Sequence, residues 1–468
     1  MANKEEKTVS IVTLPLKTEK WQADRLDKKF EICRSIYNAM LGRKLKDYNN
    51  LQRLPRYKEL SEIIKVFYED PDTKKRKSPE CKAALQERNS LLADYGFTKY
   101  GIGNLCTLYY KHFNENISSI MANLSIAQPL WKSIETMLYG TVNGKGQPKF
   151  KRYGDWNSIA SDGKSGIRLV DKDGATLFAG SYATPMFIYI GTQKGKSMTI
   201  PVILPRSDSF KHRMMDRKIH TIRIVRKIVN GTSRYSVQLC VDGVPAEKLD
   251  KKGNNRHPIG RGRVGIYIDT RTVTAVTETG DVHFYHLNEG IESAEEEITK
   301  LRQHMSASRV LTNPDNFEPD GTIKKGHIVQ GRRMPLTWTY SNSYKQSKKE
   351  LSDILRKEKE RRTLERQKLA NELLGLGDTF FINDYPFALS AQRKKETELK
   401  KDGTPKSKAK AGKAIGENAP AMLITLLTQK VAATYGPEPE LIKMDAPDKA
   451  KKNYREDCAR QLLDIVAK

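Results

Sequence analysis

The sequence predicts a multidomain α+β protein, on three observations. After a short opening strand, apolar residues recur at helical spacing. In the middle of the chain the period switches to two, and from Val264 onward strands alternate with helices. The boundaries expected are a first strand within 1–20, a helical domain over 21–155, a β-rich module over 156–246, a polar linker over 247–262 and a layered α/β domain over 263–468.

The elements follow in order. "KTVSIVTLPL" alternates and then meets Pro15, which reads as a strand. From Trp21 to Leu138 the pattern is helical, with Leu26, Phe30, Cys33, Tyr37 and Met40 on one face. "SIAQPLWKSIETMLYG" is a later helix of the same bundle. "MFIYIG", "MTIPVIL", "IHTIRIVRKI" and "RYSVQLCVDG" read as strands of a barrel-sized module, the last two joined by a hairpin at Asn230-Gly231. A strand pair over 264–287 opens the last domain, then a helix from Ala294 to Met305 and a polar stretch. A long helix from Ser341 to Leu376 contains Leu351, Ile354, Leu355, Leu364, Leu369 and Leu373. A buried strand in "DTFFINDYPFAL", a Lys-rich loop, a helix in "APAMLITLLTQKVA" and a strand in "ELIKMD" complete the series.

Hydrophobic content of 38% and charged content of 30% are globular rather than disordered values. Lys plus Arg is 83 against 56 acids, a net +27 spread along the chain. Phosphates supply dense negative charge to match it, so nucleic acid is the leading partner. No apolar run approaches the ~20 residues of a membrane span, no basic amphipathic anchor is evident and "MANKEEKTVS" lacks a signal core. No membrane association and a cytoplasmic location are expected. Cys33, Cys81, Cys106, Cys240 and Cys458 form no C-x-x-C pair and no zinc-finger spacing with His.

Four stretches carry a family resemblance: "GKGQPKFKRYGDWNS", "RVGIYIDTRTVTAVTETG", "ELLGLGDTFFINDYPFALSAQRKK" and "GKAIGENAPAMLITLLTQKV". In order and spacing they resemble the transposon-encoded TnpB (OrfB) family and the miniature type V-F CRISPR effectors, across most of 145–445. The resemblance implies a helical recognition lobe, an OB-like β-barrel wedge domain and a RuvC-like (RNase H-fold) nuclease domain. On that basis the guide RNA and target double-stranded DNA are the expected partners, in a bacterial cytoplasm and on the nucleoid when DNA-bound. A homodimer is also allowed, since type V-F effectors pair two copies on one RNA.

Active members of the family cut DNA with Asp, Glu and Asp around two Mg²⁺ ions about 3.5–4 Å apart. In "RVGIYID" the first acid position holds Tyr267, after Gly265-Ile266. Asp269 shares its face but lies two residues, about 6.6 Å, along the strand, too far to replace it. We read it as a strand-end decoy. In "FFINDYPF" the Glu position holds Asn383, a weak Mg²⁺ ligand, and the adjacent Asp384 points to the opposite face. The third acid and its zinc ribbon have no counterpart. Asp445 and Asp448 precede the place where that motif would begin, and "KKNYREDCARQLLDIVAK" follows. No catalytic residue and no Mg or Zn site is expected, so the RuvC-like domain reads as degenerate and truncated.

Nucleic-acid contact is expected from three basic segments. Lys149, Lys151, Arg152 and Tyr153 surround Phe150. The long helix carries Arg356, Arg361, Arg362 and Arg366 among interleaved acids that pair with some of them. The Lys-rich loop carries Arg393, Lys394, Lys395, Lys406, Lys408 and Lys410. The function read from this is RNA-guided DNA binding without cleavage, regulating transcription by blocking a promoter or recruiting a sigma factor or RNA polymerase. Two alternatives stay open: a Mg-dependent endonuclease with a rearranged site, and a non-programmable RNA-binding transposon remnant.

Overall fold

The computed structural model describes residues 9–70, 72, 74–139, 146–180, 185–192, 197–205, 209–257, 259–329, 331–391, 411–435, 442–444 and 454–464. The chain divides into two compact units, Met1–Ile228 with Thr232–Ala246, and Val229–Gly231 with Glu247–Lys468.

In the first unit β1 (Val9–Pro15) leads into α1 (Lys20–Leu51), which starts at a capping box in which the Glu19 N–H donates to Gln22 Oε1 at 2.8 Å. The predicted stripe Leu26, Phe30, Cys33, Tyr37 and Met40 is buried, each large side chain contributing roughly 1.5–3 kcal/mol. Helices α2 (Pro55–Glu69), α3 (Pro79–Asp94) and α4 (Lys99–Tyr110) follow. Then α5 (Ser119–Ala122) passes through a π-turned segment, Asn123–Ala127, into α6 (Gln128–Tyr139).

The β-rich part holds β2 (Ser158–Ser161), β3 (Ile167–Val170), β4 (Phe187–Ile190), β5 (Met198–Pro201), β6 (Ile219–Val229) and β7 (Thr232–Asp242). A helix not anticipated, α7 (Ser209–Met215), precedes β6. Asn230 and Gly231 both take positive φ, 48° and 71°, as the predicted two-residue hairpin requires. Helical and strand side chains share one hydrophobic cluster, from Leu26 and Phe30 to Ile159, Val237 and Leu239.

The expected OB-like barrel is not seen as a closed sheet among the described residues. The strands make two open sheets, β1-β7-β6-β2 and β3-β4-β5. Among the described residues the bridge Leu16↔Val202 joins them.

The second unit is a mixed sheet with helices on both faces. Its strands are β8 (Arg263–Ile268), β9 (Thr272–Thr277), β10 (Val282–His286), β13 (Thr379–Asn383) and β14 (Ile442–Met444), in the order β10-β9-β8-β13-β14. The predicted strand pair is therefore three strands, because the turn at Gly280 (φ 92°) divides the run. Between β10 and β13 lie α8 (Glu295–Thr312), a two-stranded ribbon of β11 (His327–Val329) and β12 (Arg332–Met334), and α9 (Asn342–Leu376). After β13 come α10 (Phe387–Ala391), α11 (Gly412–Asn418), α12 (Pro420–Tyr435) and, after β14, α13 (Tyr454–Asp464). One sheet face packs Val264, Ile266 and Ile268 against Leu369, Leu373, Leu423 and Leu427 of α9 and α12. The other packs Tyr267 and Val276 against Cys458 and Ala459 of α13. Among the described residues no helix is long and apolar enough to cross a membrane.

Candidate functional site

Strand alternation turns Gly265 and Tyr267 away from the α9/α12 side and toward α13. At Gly265 a Cβ would stand 2.0 Å from the carbonyl oxygen of Ala459, so glycine is what allows α13 to lie directly on β8. Tyr267 is 2% exposed, and its ring meets Tyr454 edge-on at 5.8 Å. Burial, and next the neighbouring Tyr454, Cys458 and Asp269, push its phenol up to about 12, so the ring is neutral filling.

Asp269 stands just past the end of β8. Its carboxylate accepts from the backbone N–H groups of Arg271 and Thr272 at 2.7 and 2.8 Å, an Asx turn into β9. Arg455 of α13 donates to the same carboxylate at 2.9 and 2.7 Å. Burial alone would raise its pKa, but the two N–H bonds and the Arg455 charge outweigh it, and the pKa is lowered. A lowered carboxylate pKa stabilises the fold above the unfolded value, about 3.9, and that stability is lost as pH falls through the folded value. Asp269→Asn keeps the turn acceptor and deletes the charge facing Arg455. We expect it to cost about 1 kcal/mol near neutral pH, with the gap to the native chain closing as pH falls through the folded value. Urea unfolding of both chains across pH checks this; a gap independent of pH would contradict the ion-pair role.

Asn383, the last residue of β13, is 1% exposed. The β8–β13 ladder ends at Ile382↔Ile266. Beyond it the Asn383 side chain takes over: Oδ1 accepts from the Ile268 N–H at 2.7 Å, and Nδ2 donates to the Ile268 carbonyl at 3.0 Å. A carboxylate could make only the first of these bonds. Asp384, next in sequence, is exposed. The structure thus brings Tyr267 and Asp269 together under α13 and ties Asn383 to the backbone between them. Among the described residues no three His, Cys, Asp or Glu side chains are grouped to hold a metal ion. Asp445 and Asp448 lie outside the described residues.

In the first unit, the segment holding Lys149, Phe150, Lys151, Arg152 and Tyr153 is irregular and exposed, turns at Tyr153-Gly154 and is docked on α1. Asn38 brackets Lys151, accepting from its N–H and donating to its carbonyl, both at 2.8 Å. Gly154 donates to Glu31 at 2.9 Å, and the buried Arg226 holds the Gly154 and Trp156 carbonyls at 2.9 and 3.0 Å. Arg34 lies 6.0 Å over the Tyr153 ring, whose other side is open to solvent, with Tyr153 83% exposed. A fixed backbone that presents cations and open rings suits phosphate contact with base stacking.

The four arginines of α9 are not equivalent. Arg356 is engaged by Asp353 and Glu360, both at 2.9 Å, and Arg362 by Glu358 at 3.3 Å. Arg366 is buried, and its pKa is lowered by burial first and Arg362 second. Arg361 is exposed. Of the Lys-rich loop, Arg393, Lys394, Lys395, Lys406, Lys408 and Lys410 lie outside the described residues, while Lys413 at its end pairs with Glu295 at 2.7 Å. Sequence reasoning missed α13 as the partner of Tyr267 and Asp269. Its signal was present in Tyr454, Cys458 and Leu462, apolar at four-residue steps.

No family model matches the sequence, and no curated protein is similar to it. Among solved structures the chain is similar to the Cas12f1 of a Cas12f1–sgRNA–target DNA complex, with a TM-score of 0.37 and 11% identity over 94% of this chain and 89% of that one. A CRISPR-Cas12f ternary complex gives a TM-score of 0.22 and 12% identity over the same shares. A Cas12i1 R-loop complex, captured before target cleavage, gives 0.25 and 10% over 91% of this chain and 57% of that one.

Proposed function

We propose that the chain is a nuclease-inactive, RNA-guided DNA-binding protein that regulates transcription by occupying a promoter or by recruiting a sigma factor or RNA polymerase. The four stretches in family order and the net +27 support guide RNA and target DNA as partners. One observation carries the inactive part: the first two of the three positions where the family's pattern asks for an acid are buried and committed elsewhere. Tyr267 is neutral filling under α13, and the Asn383 oxygen is taken by the Ile268 N–H. Neither donor fits a Mg²⁺ pair, which needs charged oxygens free to turn toward the ion. In this reading residues 21–155 recognise the guide–target duplex, 156–246 form the wedge and 263–468 have kept the nuclease scaffold as a binding platform. Losing carboxylates there lowers repulsion toward a bound strand.

The test is to purify the chain from its host, sequence the RNA that accompanies it and challenge the complex with matched duplex DNA in Mg²⁺. We expect one abundant RNA with a constant scaffold and a short variable end, and binding of matched DNA without cleavage. A broad mixture of cellular RNAs would leave the non-programmable RNA binder, and Mg²⁺-dependent cutting would establish a rearranged nuclease.

A further inference from the structure

The segment between α8 and α9 is a built module that the proposed function does not use. Asn313 donates to the Thr339 carbonyl at 2.8 Å and accepts from the Thr339 N–H at 2.7 Å. Asn316 donates to the Thr337 carbonyl at 2.7 Å and contacts His327 of β11 at 3.3 Å. The Arg309 guanidinium lies 5.9 Å from the Phe317 ring and 5.1 Å from Trp338, which are themselves edge-to-face at 5.7 Å. So much fixed structure at the base holds the β11–β12 ribbon in place.

What the ribbon presents is unusual for a solvent surface. Ile328 is 73% exposed and stands directly opposite Arg333, so the two share a face, while His327 on the other face meets Asn316. From 321 to 349 the sequence has seven Lys or Arg and no Asp or Glu. Arg332, Arg333, Lys345, Lys348 and Lys349 are all exposed, the three lysines at helical spacing on the first turns of α9. The acids that bound this stretch are already engaged: Asp320 accepts from the Thr322 hydroxyl and Glu350 from the Gln346 amide, both at 2.7 Å.

An acid-free, basic, two-stranded ribbon with an exposed aliphatic side chain matches one occupant best. The major groove of B-DNA, about 12 Å wide, admits a two-stranded ribbon, whereas the A-form RNA major groove is too narrow to be read. A branched aliphatic group beside an arginine suits the thymine methyl and guanine edges of that groove. We propose that the β11–β12 ribbon docks in the major groove of duplex DNA, with Ile328 and Arg333 at the base edges, and Arg332 and the α9 lysines on the phosphates. The proposal rests on the DNA-binding part of the function above and not on a guide.

The test compares the full chain with Arg332→Gln/Arg333→Gln and with a charge-matched control, Lys251→Gln/Lys252→Gln, on short duplex DNA and duplex RNA of one mixed sequence. We expect the slope of log affinity against log salt on DNA to shrink by about 0.9 for the ribbon variant, the one phosphate contact of Arg332, and to hold for the control. Affinity for duplex RNA and the RNA that accompanies the purified chain should be unchanged. Guanine N7 atoms should be protected from dimethyl sulfate by the native chain and not by the variant. An unchanged slope, an equal loss on duplex RNA, loss of the accompanying RNA or unprotected N7 would each overturn the assignment. If no guide RNA is found, the duplex-DNA slope still reads the ribbon by itself.

Discussion

Asn383→Asp is expected to destabilise the second unit by about 3 kcal/mol or more near neutral pH, out of proportion to a one-atom change. The amide at 383 stands in for a missing rung of the β8–β13 ladder, accepting from and donating to Ile268 at once. Aspartate keeps the acceptor but turns a second oxygen toward the Ile268 carbonyl, in a site 1% exposed. A buried carbonyl then loses its donor while a buried charge gains no cation. The sign of the pH response follows. Such a carboxyl has a raised folded pKa, so the deficit is greatest well above about pH 4 and shrinks as acid restores an O–H donor. Urea unfolding of native and variant chains at neutral and acid pH measures it. A deficit below about 1 kcal/mol, or one flat with pH, would mean that the amide is not the rung we describe. An acid placed at 267 or 383 therefore damages the fold before it can contribute to a metal site.

Much of the fold was legible because it is local. The stripe from Leu26 to Met40, the hairpin at Asn230-Gly231 and the start of α9 at Ser341, whose hydroxyl accepts from the Tyr344 N–H, are all written within a few residues. Where the reading failed, the deciding contact is distant or the element too short to show a period. The ribbon strands are three residues each, below any window in which alternation can be seen. The open sheets depend on where β1 leaves β7 for Val202, which no local pattern encodes. At the candidate site, motif register alone named Tyr267 and Asn383. Their partners are far along the chain: Asn383 meets Ile268 across 115 residues, and Asp269 meets Arg455 across 186. A sequence window can name Tyr267 and Asn383, but not the groups that pack against them.

Gly265→Ala should lift α13 off the sheet. Gly265 has an ordinary strand conformation, without the positive φ that would itself demand glycine, so the cost of a methyl group there is the contact alone. That contact is severe: 2.0 Å to the Ala459 carbonyl oxygen, 3.0 Å to Leu463 Cγ and 3.1 Å to the Ala459 carbonyl carbon. A backbone oxygen inside a helix cannot rotate aside as a side chain does, so the helix must move as a body. Overpacking of this kind costs about 1–3 kcal/mol when the surroundings yield, and here yielding also takes Arg455 from Asp269 and Tyr454 from Tyr267. Cys458, 2% exposed, reports the motion directly. In the native chain it should resist a thiol reagent, and in Gly265→Ala it should label with a rate approaching that of the unfolded chain, read on the peptide that contains it. Amide exchange over 454–464 should rise together with it. Continued protection of Cys458 with unchanged stability would show that β8 itself gives way and that α13 does not depend on the missing side chain. Loss of protection would identify Gly265 as the residue that lets α13 lie directly on β8.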